Sequence, residues 1–278
     1  MTTPVVYERR GAGTPLVLLH GIGHHWRAWL PVLDRLAEAH DVIAVDLPGF
    51  GGSPVPAGGP PRDMAKAVDG VAAFLADLGL DRPHVAGNSL GGAMALELAN
   101  AGLVASATAL SPAGFCTPGE LRWAVGALTA HRWGTRIPQP VMRTMFRYGA
   151  LRTLCFGMIC AHPAHLTPEM ALSDALALRN GQAFRAVARA GRSYAYRGTP
   201  TVPVTVAWGT RDRILPYRQA ARARAALPGA RHVDLPGCGH VPMGDNPDLV
   251  AAVILETTGA HSPSRPVPGD AAGGQRSA

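Results

Sequence analysis

Short apolar runs alternate with segments of helical periodicity along most of the chain. Runs such as LVLL at 16–19 and VIAV at 42–45 are wholly apolar, which is typical of strands buried on both faces of a parallel sheet. Between such runs, apolar residues recur at intervals of three and four, which predicts amphipathic helices. The predicted strands are 5–8, 16–19, 42–45, 83–87, 104–110, 202–208 and 231–235. The predicted helices are 29–39, 63–78, 89–101, 216–227 and 246–257.

The alternation of strand and helix is interrupted once, between residues 112 and 200. The alternation itself predicts an α/β fold with a doubly wound, mostly parallel sheet. The interrupting segment has only helical patterns, at 121–130, 141–148, 168–178 and 184–194. We therefore expect residues 1–111 and 201–257 to form one α/β core, with 112–200 inserted as a helical cap. Residues 258–278 are rich in Ser, Pro, Gly and Ala and are expected to be disordered.

The composition is that of a globular protein. The 278 residues are 47% hydrophobic and 16% charged, enough for one large domain with a substantial core. No run approaches the roughly 18 apolar residues of a membrane span, and the N-terminus lacks the apolar stretch of a signal peptide, so a cytoplasmic protein is expected. The cysteines form no CxxC pair and have no histidine at metal-ligand spacing, so they are expected to be reduced, partly buried thiols rather than metal ligands. No metal and no other cofactor is expected. The cysteines are Cys116, Cys155, Cys160 and Cys238.

Positive charge is concentrated in the predicted cap. The formal charge is +7, and between residues 113 and 200 eleven arginines accompany only three carboxylates. The arginines could be solvated, could turn inward to bind a substrate carboxylate, or could face an anionic membrane surface or an acidic carrier. A nucleic acid is not an expected partner, because no recognised binding module or row of stacking aromatics accompanies the charge. The candidates for an inward side chain are Arg143, Arg147, Arg185, Arg189 and Arg192.

The segment 87–92, with the sequence GNSLGG, stands between a predicted strand and a predicted helix. In this context a sharp turn at the end of a strand can present a serine as a nucleophile. Ser89 would occupy the strained position, and Gly87 and Gly91 would leave room for the neighbouring backbone. Taken alone, the motif could also be a Gly-rich turn in which the serine only caps the helix.

Two more polar residues directly follow predicted strands. Asp212 comes after the strand 202–208, and His240 comes after the strand 231–235. Because the carboxyl ends of parallel strands meet at one edge of a sheet, both residues are expected beside Ser89. A histidine can take the proton of an attacking serine, and an aspartate can orient that histidine. Taken singly, each residue could instead belong to a turn or cap a helix.

Together these motifs resemble the α/β-hydrolase superfamily over residues 3–257. The matching features are His20–Gly21, the turn 46–53, the segment 87–91, and the pair Asp212 and His240. The resemblance implies that Ser89 is the nucleophile, His240 the general base and Asp212 the acid that orients the histidine. It also implies an oxyanion hole formed by the backbone N–H groups of Ile22 and Leu90. The expected partner is a small-molecule acyl or ester substrate.

The resemblance leaves several reactions open. Haloalkane dehalogenases and epoxide hydrolases have an aspartate at the position of the nucleophile in this turn. Ser89 therefore excludes their chemistry. The GNSLGG run looks like that of carbon–carbon hydrolases acting on meta-cleavage products, but those enzymes carry HGxGPG at the oxyanion loop and Trp after the catalytic histidine. This chain has HGIGHH at 20–25 and Val241. We expect an esterase or lipase-like hydrolase that works through an acyl-enzyme on Ser89; a carbon–carbon hydrolase and a non-catalytic binding member of the fold are the alternatives. His24 and His25 are expected to be solvated or packed.

Overall fold

Seven strands form one sheet in the order β1–β3–β2–β4–β5–β6–β7. The structure is a computed structural model that describes residues 4–259. The strands are β1 (Tyr7–Arg10), β2 (Pro15–Leu19), β3 (Asp41–Val45), β4 (His84–Asn88), β5 (Ser106–Leu110), β6 (Val204–Gly209) and β7 (Arg231–Leu235). Strand β1 pairs antiparallel to β3, and the remaining pairs are parallel. The predicted mostly parallel α/β sheet is therefore confirmed.

Helices cover both faces of this sheet. They are α1 (Leu30–Ala37), α2 (Met64–Asp77), α3 (Leu90–Asn100), α4 (Pro118–Gly134), α5 (Gln139–Met145), α6 (Gly149–Phe156), α7 (Pro168–Asn180), α8 (Phe184–Ala190), α9 (Gln219–Ala226), α10 (Pro242–Asp245) and α11 (Pro247–Thr258). Along β2, Val17 and Leu19 join the core that contains α2, α3 and α9, whereas Leu16 and Leu18 join the core that contains α1 and α11. Burial on both faces explains why this strand is wholly apolar.

Two helices begin at capping side chains, which are the first residues of the predicted helices 63–78 and 246–257. The Asp63 carboxylate accepts a hydrogen bond of 2.8 Å from the backbone N–H of Lys66, and Asn246 accepts one of 3.1 Å from Leu249 N–H. Such caps satisfy N–H groups that have no partner in the preceding turn and stabilise a helix by about 1 kcal/mol.

The segment between β5 and β6 contains the five helices α4 to α8 and no strand. Helix α6 was not predicted, and the predicted helix 29–39 begins as a 3₁₀ turn at Trp26–Trp29 before α1. Of the predicted tail, 258–278, all but Thr258 and Gly259 lies outside the described residues. Within residues 4–259, no helix is both long and apolar enough to span a membrane.

Candidate active site

Ser89 lies at the sharp turn between β4 and α3. Its backbone adopts φ +55° and ψ −110°, a left-handed conformation that non-glycine residues rarely occupy. Three backbone hydrogen bonds hold it there: Ser89 N–H donates to the Leu110 carbonyl at 2.9 Å, and the N–H groups of Ala93 and Ala113 donate to the Ser89 carbonyl at 3.0 and 3.1 Å. Among the described residues, the Ser89 side chain makes no capping hydrogen bond to α3. The turn therefore does not use this serine as a helix cap.

Gly87 and Gly91 make the turn sterically possible. A Cβ atom on Gly87 would lie 2.0 Å from the Gly91 carbonyl oxygen, and one on Gly91 would lie 2.1 Å from the Leu19 carbonyl oxygen. Both obstacles are backbone atoms, which cannot move without displacing α3 in the first case and β2 in the second. Only glycine fits either position.

We expect Gly87→Ala to destabilise the protein by about 3 kcal/mol or more, because the new methyl group must displace the start of α3. Gly70 provides a matched control, since a Cβ there would meet nothing within 4 Å. Gly70→Ala, in the interior of α2, is expected to gain up to about 1 kcal/mol. Urea unfolding of the two variants measures both effects, and equal stabilities would contradict the steric account of the turn.

His240 and Asp212 form a buried hydrogen-bonded pair beyond the ends of β7 and β6. The distance from His240 Nδ1 to Asp212 Oδ2 is 2.8 Å, and both residues are buried. The other oxygen of Asp212 accepts hydrogen bonds from the backbone N–H groups of Ile214 and Leu215, at 2.9 and 2.8 Å. The carboxylate is thereby fixed in orientation. Because Nδ1 is engaged with Asp212, the His240 ring keeps Nε2 for another partner.

Two polar residues that sequence reasoning missed hold the His240 loop in place. The Asn88 side-chain amide donates to the His240 carbonyl at 2.9 Å, which ties this loop to the residue next to Ser89. The Asp245 carboxylate accepts from Gly239 N–H at 2.7 Å and, on the other side, from Ala161 and His162 N–H at 2.9 and 2.7 Å. The structure therefore brings Ser89, His240 and Asp212 to one edge of the sheet, as their positions after β4, β7 and β6 predict.

The loop after α6 covers His240. His240 N–H donates to the Ile159 carbonyl at 2.8 Å, and Val241 N–H donates to the same oxygen at 3.2 Å. Ser89 and His240 are correspondingly only 6% and 4% exposed. A segment inserted between β5 and β6 thus contacts the histidine loop directly and limits solvent access to the site.

The loop after β2 lies directly against Ser89. A Cβ atom on Gly21 would be 3.3 Å from the Ser89 Cβ. Ile22 follows Gly21 in a turn that is closed by a hydrogen bond of 3.1 Å from His24 N–H to the Gly21 carbonyl. On the other side, α3 begins at Leu90, so the Leu90 N–H has no acceptor in a preceding turn. The positive end of the α3 dipole adds to the potential there.

His20 connects the loop after β2 to the loop after β3 as a neutral, fully buried ring. Its Nε2 accepts a hydrogen bond from Leu47 N–H at 2.9 Å, and its Nδ1 lies 2.7 Å from the Gly21 carbonyl. Since Nε2 acts as an acceptor, the ring proton belongs on Nδ1, where it is donated to Gly21. Burial lowers the pKa of His20 from 6.5 to about 3.

We expect His20 to make the protein acid-sensitive. Between pH 6.5 and about 3 the unfolded chain binds a proton at His20 and the folded chain does not, so the free energy of unfolding falls as the pH falls through this window. Within this window His20 lowers the free energy of unfolding by up to about 1.4 kcal/mol for each pH unit. Above pH 6.5 the ring is neutral in both states, so the full stability is present. His20→Gln retains a donor and an acceptor but does not titrate. Urea unfolding at several pH values should show a shallower pH dependence for this variant, and identical slopes would contradict the assignment.

His24, His25 and Asp174 form the one group of described residues that could hold a metal ion, with ligand atoms within 4.8 Å of one another. His25 Nε2 lies 3.0 Å from Asp174 Oδ1, and His24 Nδ1 accepts a hydrogen bond from His25 N–H at 3.1 Å. Because Nδ1 is the acceptor, the proton of a neutral His24 lies on Nε2, the atom that faces Asp174. A metal ion bound to Nε2 would have to displace this proton. We interpret the group as a packed link between the loop after β2 and α7.

The two cysteines nearest the His240 loop, Cys160 and Cys238, are unsuited to act as nucleophiles. Cys238 lies two residues before His240, but burial raises the pKa of its thiol to about 11, with the Asp245 carboxylate adding to the shift. Burial also raises the pKa of Cys160 well above its usual value. Both side chains are therefore protonated thiols at neutral pH, and a thiol is a poor nucleophile.

Two cavities adjoin the site. The first, which we call the Ile22 cavity, has a volume of about 280 Å³ and reaches Ile22 and Val241 under α4 and α7. The second, the Leu90 cavity, has a volume of about 560 Å³ and extends from Leu90 and Met94 toward α2. Both are lined mainly by apolar side chains, as expected of sites for small organic ligands.

The chain belongs to the alpha/beta hydrolase family, because the sequence pattern that defines this family matches residues 16–253. The dihydrolipoyllysine-residue acetyltransferase component of the acetoin cleaving system of Cupriavidus necator is 32% identical over 261 residues, 92% of this chain; the chain spans 66% of that relative's length. The pimeloyl-acyl-carrier-protein methyl ester esterase of Aeromonas hydrophila is 42% identical over 95 residues, 34% of this chain and 35% of that protein.

A similar fold is found among crystal structures. That of a membrane phospholipase A, a bacterial virulence factor, matches with a TM-score of 0.73 and 25% identity, over 93% of this chain and 84% of that one. The predicted superfamily and fold are therefore confirmed. Membership of a family of hydrolases also supports the prediction that the protein is an enzyme.

Proposed function

We propose that the protein is a serine hydrolase that cleaves a carboxylic ester through an acyl-enzyme on Ser89. The observation that carries the proposal is the oriented pair of His240 and Asp212, 2.8 Å apart, at the same sheet edge as the strained Ser89. A structural serine would not require an energetically unfavourable backbone conformation, whereas a nucleophile that must project from the sheet does.

In this mechanism Ser89 Oγ attacks the ester carbonyl carbon while its proton passes to His240 Nε2. The Leu90 and Ile22 N–H groups stabilise the oxyanion of the tetrahedral intermediate, and Asp212 stabilises the imidazolium. Collapse of the intermediate expels the alcohol, which takes the proton from His240. Water then attacks the acyl-enzyme and gives its proton to His240. The carboxylic acid leaves as Ser89 regains that proton.

The proposed substrate is a small ester with apolar groups on one or both sides of the bond. The Ile22 cavity and the Leu90 cavity each reach one of the two proposed oxyanion residues and offer mainly apolar walls. We include residues 112–200 in the proposal as a helical cap that roofs these cavities. Its support is the contact of Ile159 with His240 and Val241, and the position of α4 and α7 at the Ile22 cavity.

A substrate profile tests the ester reaction against the carbon–carbon reaction. Steady-state kcat/KM is measured for p-nitrophenyl acetate, butyrate and octanoate, and for a vinylogous diketone of the meta-cleavage type. Turnover of the esters, with Ser89-dependent release of p-nitrophenol, is the expected result. Hydrolysis of the diketone with negligible ester turnover would replace esterase by carbon–carbon hydrolase, and turnover of neither class would indicate a different acyl substrate or a binding protein.

A further inference from the structure

The arginines of residues 113–200 have no carboxylate partner within the described part of the chain. None of the eleven forms an ion pair there. Two of the segment's three carboxylates are already engaged elsewhere, Glu120 with Arg218 and Arg222, and Asp174 with His25. The positive charge of this segment is therefore available to a ligand outside the chain.

Five of these arginines converge on one groove between α4 and α8, which we call the arginine groove. Its volume is about 280 Å³. It is lined by Val125, Thr129, Arg132, Trp133, Arg136, Phe184, Arg185, Ala188, Arg189 and Arg192. No carboxylate is among the residues that form its wall. Trp133 is 69% exposed, which leaves its ring free to contact a ligand.

Arg132 is the fixed member of the group. Its guanidinium donates to the carbonyls of Leu178, Arg179 and Gly181 at the end of α7, at 3.0 to 3.2 Å, and stacks 5.2 Å from the Phe184 ring centre. Burial and the nearby charges of Arg185 and Arg136 lower its pKa. The groove thus gathers like charges close enough to repel one another, and a bound anion would relieve this repulsion.

The other four arginines of the groove are exposed, and their guanidinium groups have no hydrogen-bond partner among residues 4–259. They are Arg136, Arg185, Arg189 and Arg192. Of the alternatives that the sequence leaves open, solvated arginines fit the structure and an inward side chain does not, since all five candidates for it are exposed: Arg143, Arg147, Arg185, Arg189 and Arg192. Exposure of long side chains is favoured because the charge remains hydrated.

We propose that the arginine groove is a binding site for a phosphate group, with Arg185 and Arg189 as its principal ligands and Trp133 as an apolar wall. A phosphate carries up to two charges and several acceptor oxygens, and the planar guanidinium forms paired hydrogen bonds with such oxygens. Arg185 and Arg189 are four residues apart and so share one face of α8. The site is separate from Ser89 and does not depend on the proposed reaction.

The test measures phosphate binding to the full chain, with no substrate present. Inorganic pyrophosphate is titrated by calorimetry in a chloride buffer, and vesicles of phosphatidylglycerol or of neutral phosphatidylcholine are tested by co-sedimentation. The first arm reports a free phosphate compound and the second a lipid headgroup. Binding in either arm that Arg185→Ala/Arg189→Ala weakens at least about tenfold supports the site, because each lost charge-assisted contact costs roughly that much affinity.

Arg143→Ala/Arg147→Ala is the matched control, because these two exposed arginines have the same four-residue spacing but do not line the groove. The control is expected to bind within twofold of the unmodified protein. An equal loss in both double variants would show a general charge effect and overturn the proposal. The proposal would also be overturned if the unmodified protein bound neither pyrophosphate at millimolar concentration nor phosphatidylglycerol vesicles.

Discussion

Ser89→Ala is expected to abolish ester turnover while leaving a folded protein. In a serine hydrolase, loss of the nucleophile lowers kcat by about 10⁶-fold, so the residual rate should approach the uncatalysed background. The fold should survive, because the hydrogen bonds that define the turn at Ser89 come from its backbone and not from its hydroxyl. Steady-state kinetics with p-nitrophenyl butyrate, together with urea unfolding, measures both expectations.

Ser106→Ala is a suitable control for this variant. Ser106 is also buried at a strand of the central sheet, but it lies at the opposite end of β5, where its hydroxyl bonds to His84 Nδ1 at 2.7 Å. This substitution should cost about 1 kcal/mol of stability and leave kcat unchanged. If Ser89→Ala retained activity comparable to that of Ser106→Ala, Ser89 would not be the nucleophile.

Asp212→Asn and His240→Ala are each expected to lower kcat by several orders of magnitude, about 10⁴-fold for the asparagine variant. An amide at position 212 can donate to His240 Nδ1, which would favour the wrong tautomer of the ring. The double variant should be little worse than His240→Ala alone, because members of a triad act as a unit. A double variant whose losses simply multiplied would show that the two residues act independently.

Asp234→Asn controls for the loss of a carboxylate near the carboxyl end of the sheet. Asp234 lies on β7 and pairs with Arg224 at 2.8 Å, and both side chains are nearly half exposed. We expect its removal to change kcat less than twofold, since exposed ion pairs contribute little. A loss in Asp234→Asn as large as that in Asp212→Asn would move the orienting acid to β7.

The sheet and the edge at which the candidate residues meet could be predicted from sequence. Wholly apolar runs such as 16–19 mark strands buried on both faces, and a parallel sheet places the residues after each strand at one edge. Ser89, Asp212 and His240 follow the parallel strands β4, β6 and β7, so their meeting at one edge follows from the sheet topology and needs no information about side-chain packing. The caps Asp63 and Asn246 are local signals of the same kind, because donor and acceptor are three residues apart.

Contacts between distant parts of the chain could not be predicted in this way. Asn88 bonds to His240, 152 residues away, and Asp245 bonds to Ala161, 84 residues away. Neither side chain belongs to a local motif, so only the folded structure shows that they hold the His240 loop. The convergence of arginines from α4 and α8 on one groove is also a consequence of helix packing.

Two helices were missed because their local signals are weak. Helix α6 begins at Gly149 without a capping side chain, and its Leu154 is 78% exposed, so its apolar residues do not follow a buried face. Helix α10 has only four residues, Pro242–Asp245, too few for a helical period to show.

Covalent labelling tests the central claim most directly. The protein is treated with a fluorophosphonate, which reacts only with a serine activated by a neighbouring base, and the labelled peptide is identified by mass spectrometry. One adduct per chain on Ser89, absent from Ser89→Ala and strongly slowed in His240→Ala, is the predicted result. An unlabelled protein, or an adduct on another serine that survives Ser89→Ala, would contradict the proposal that Ser89 is an activated nucleophile.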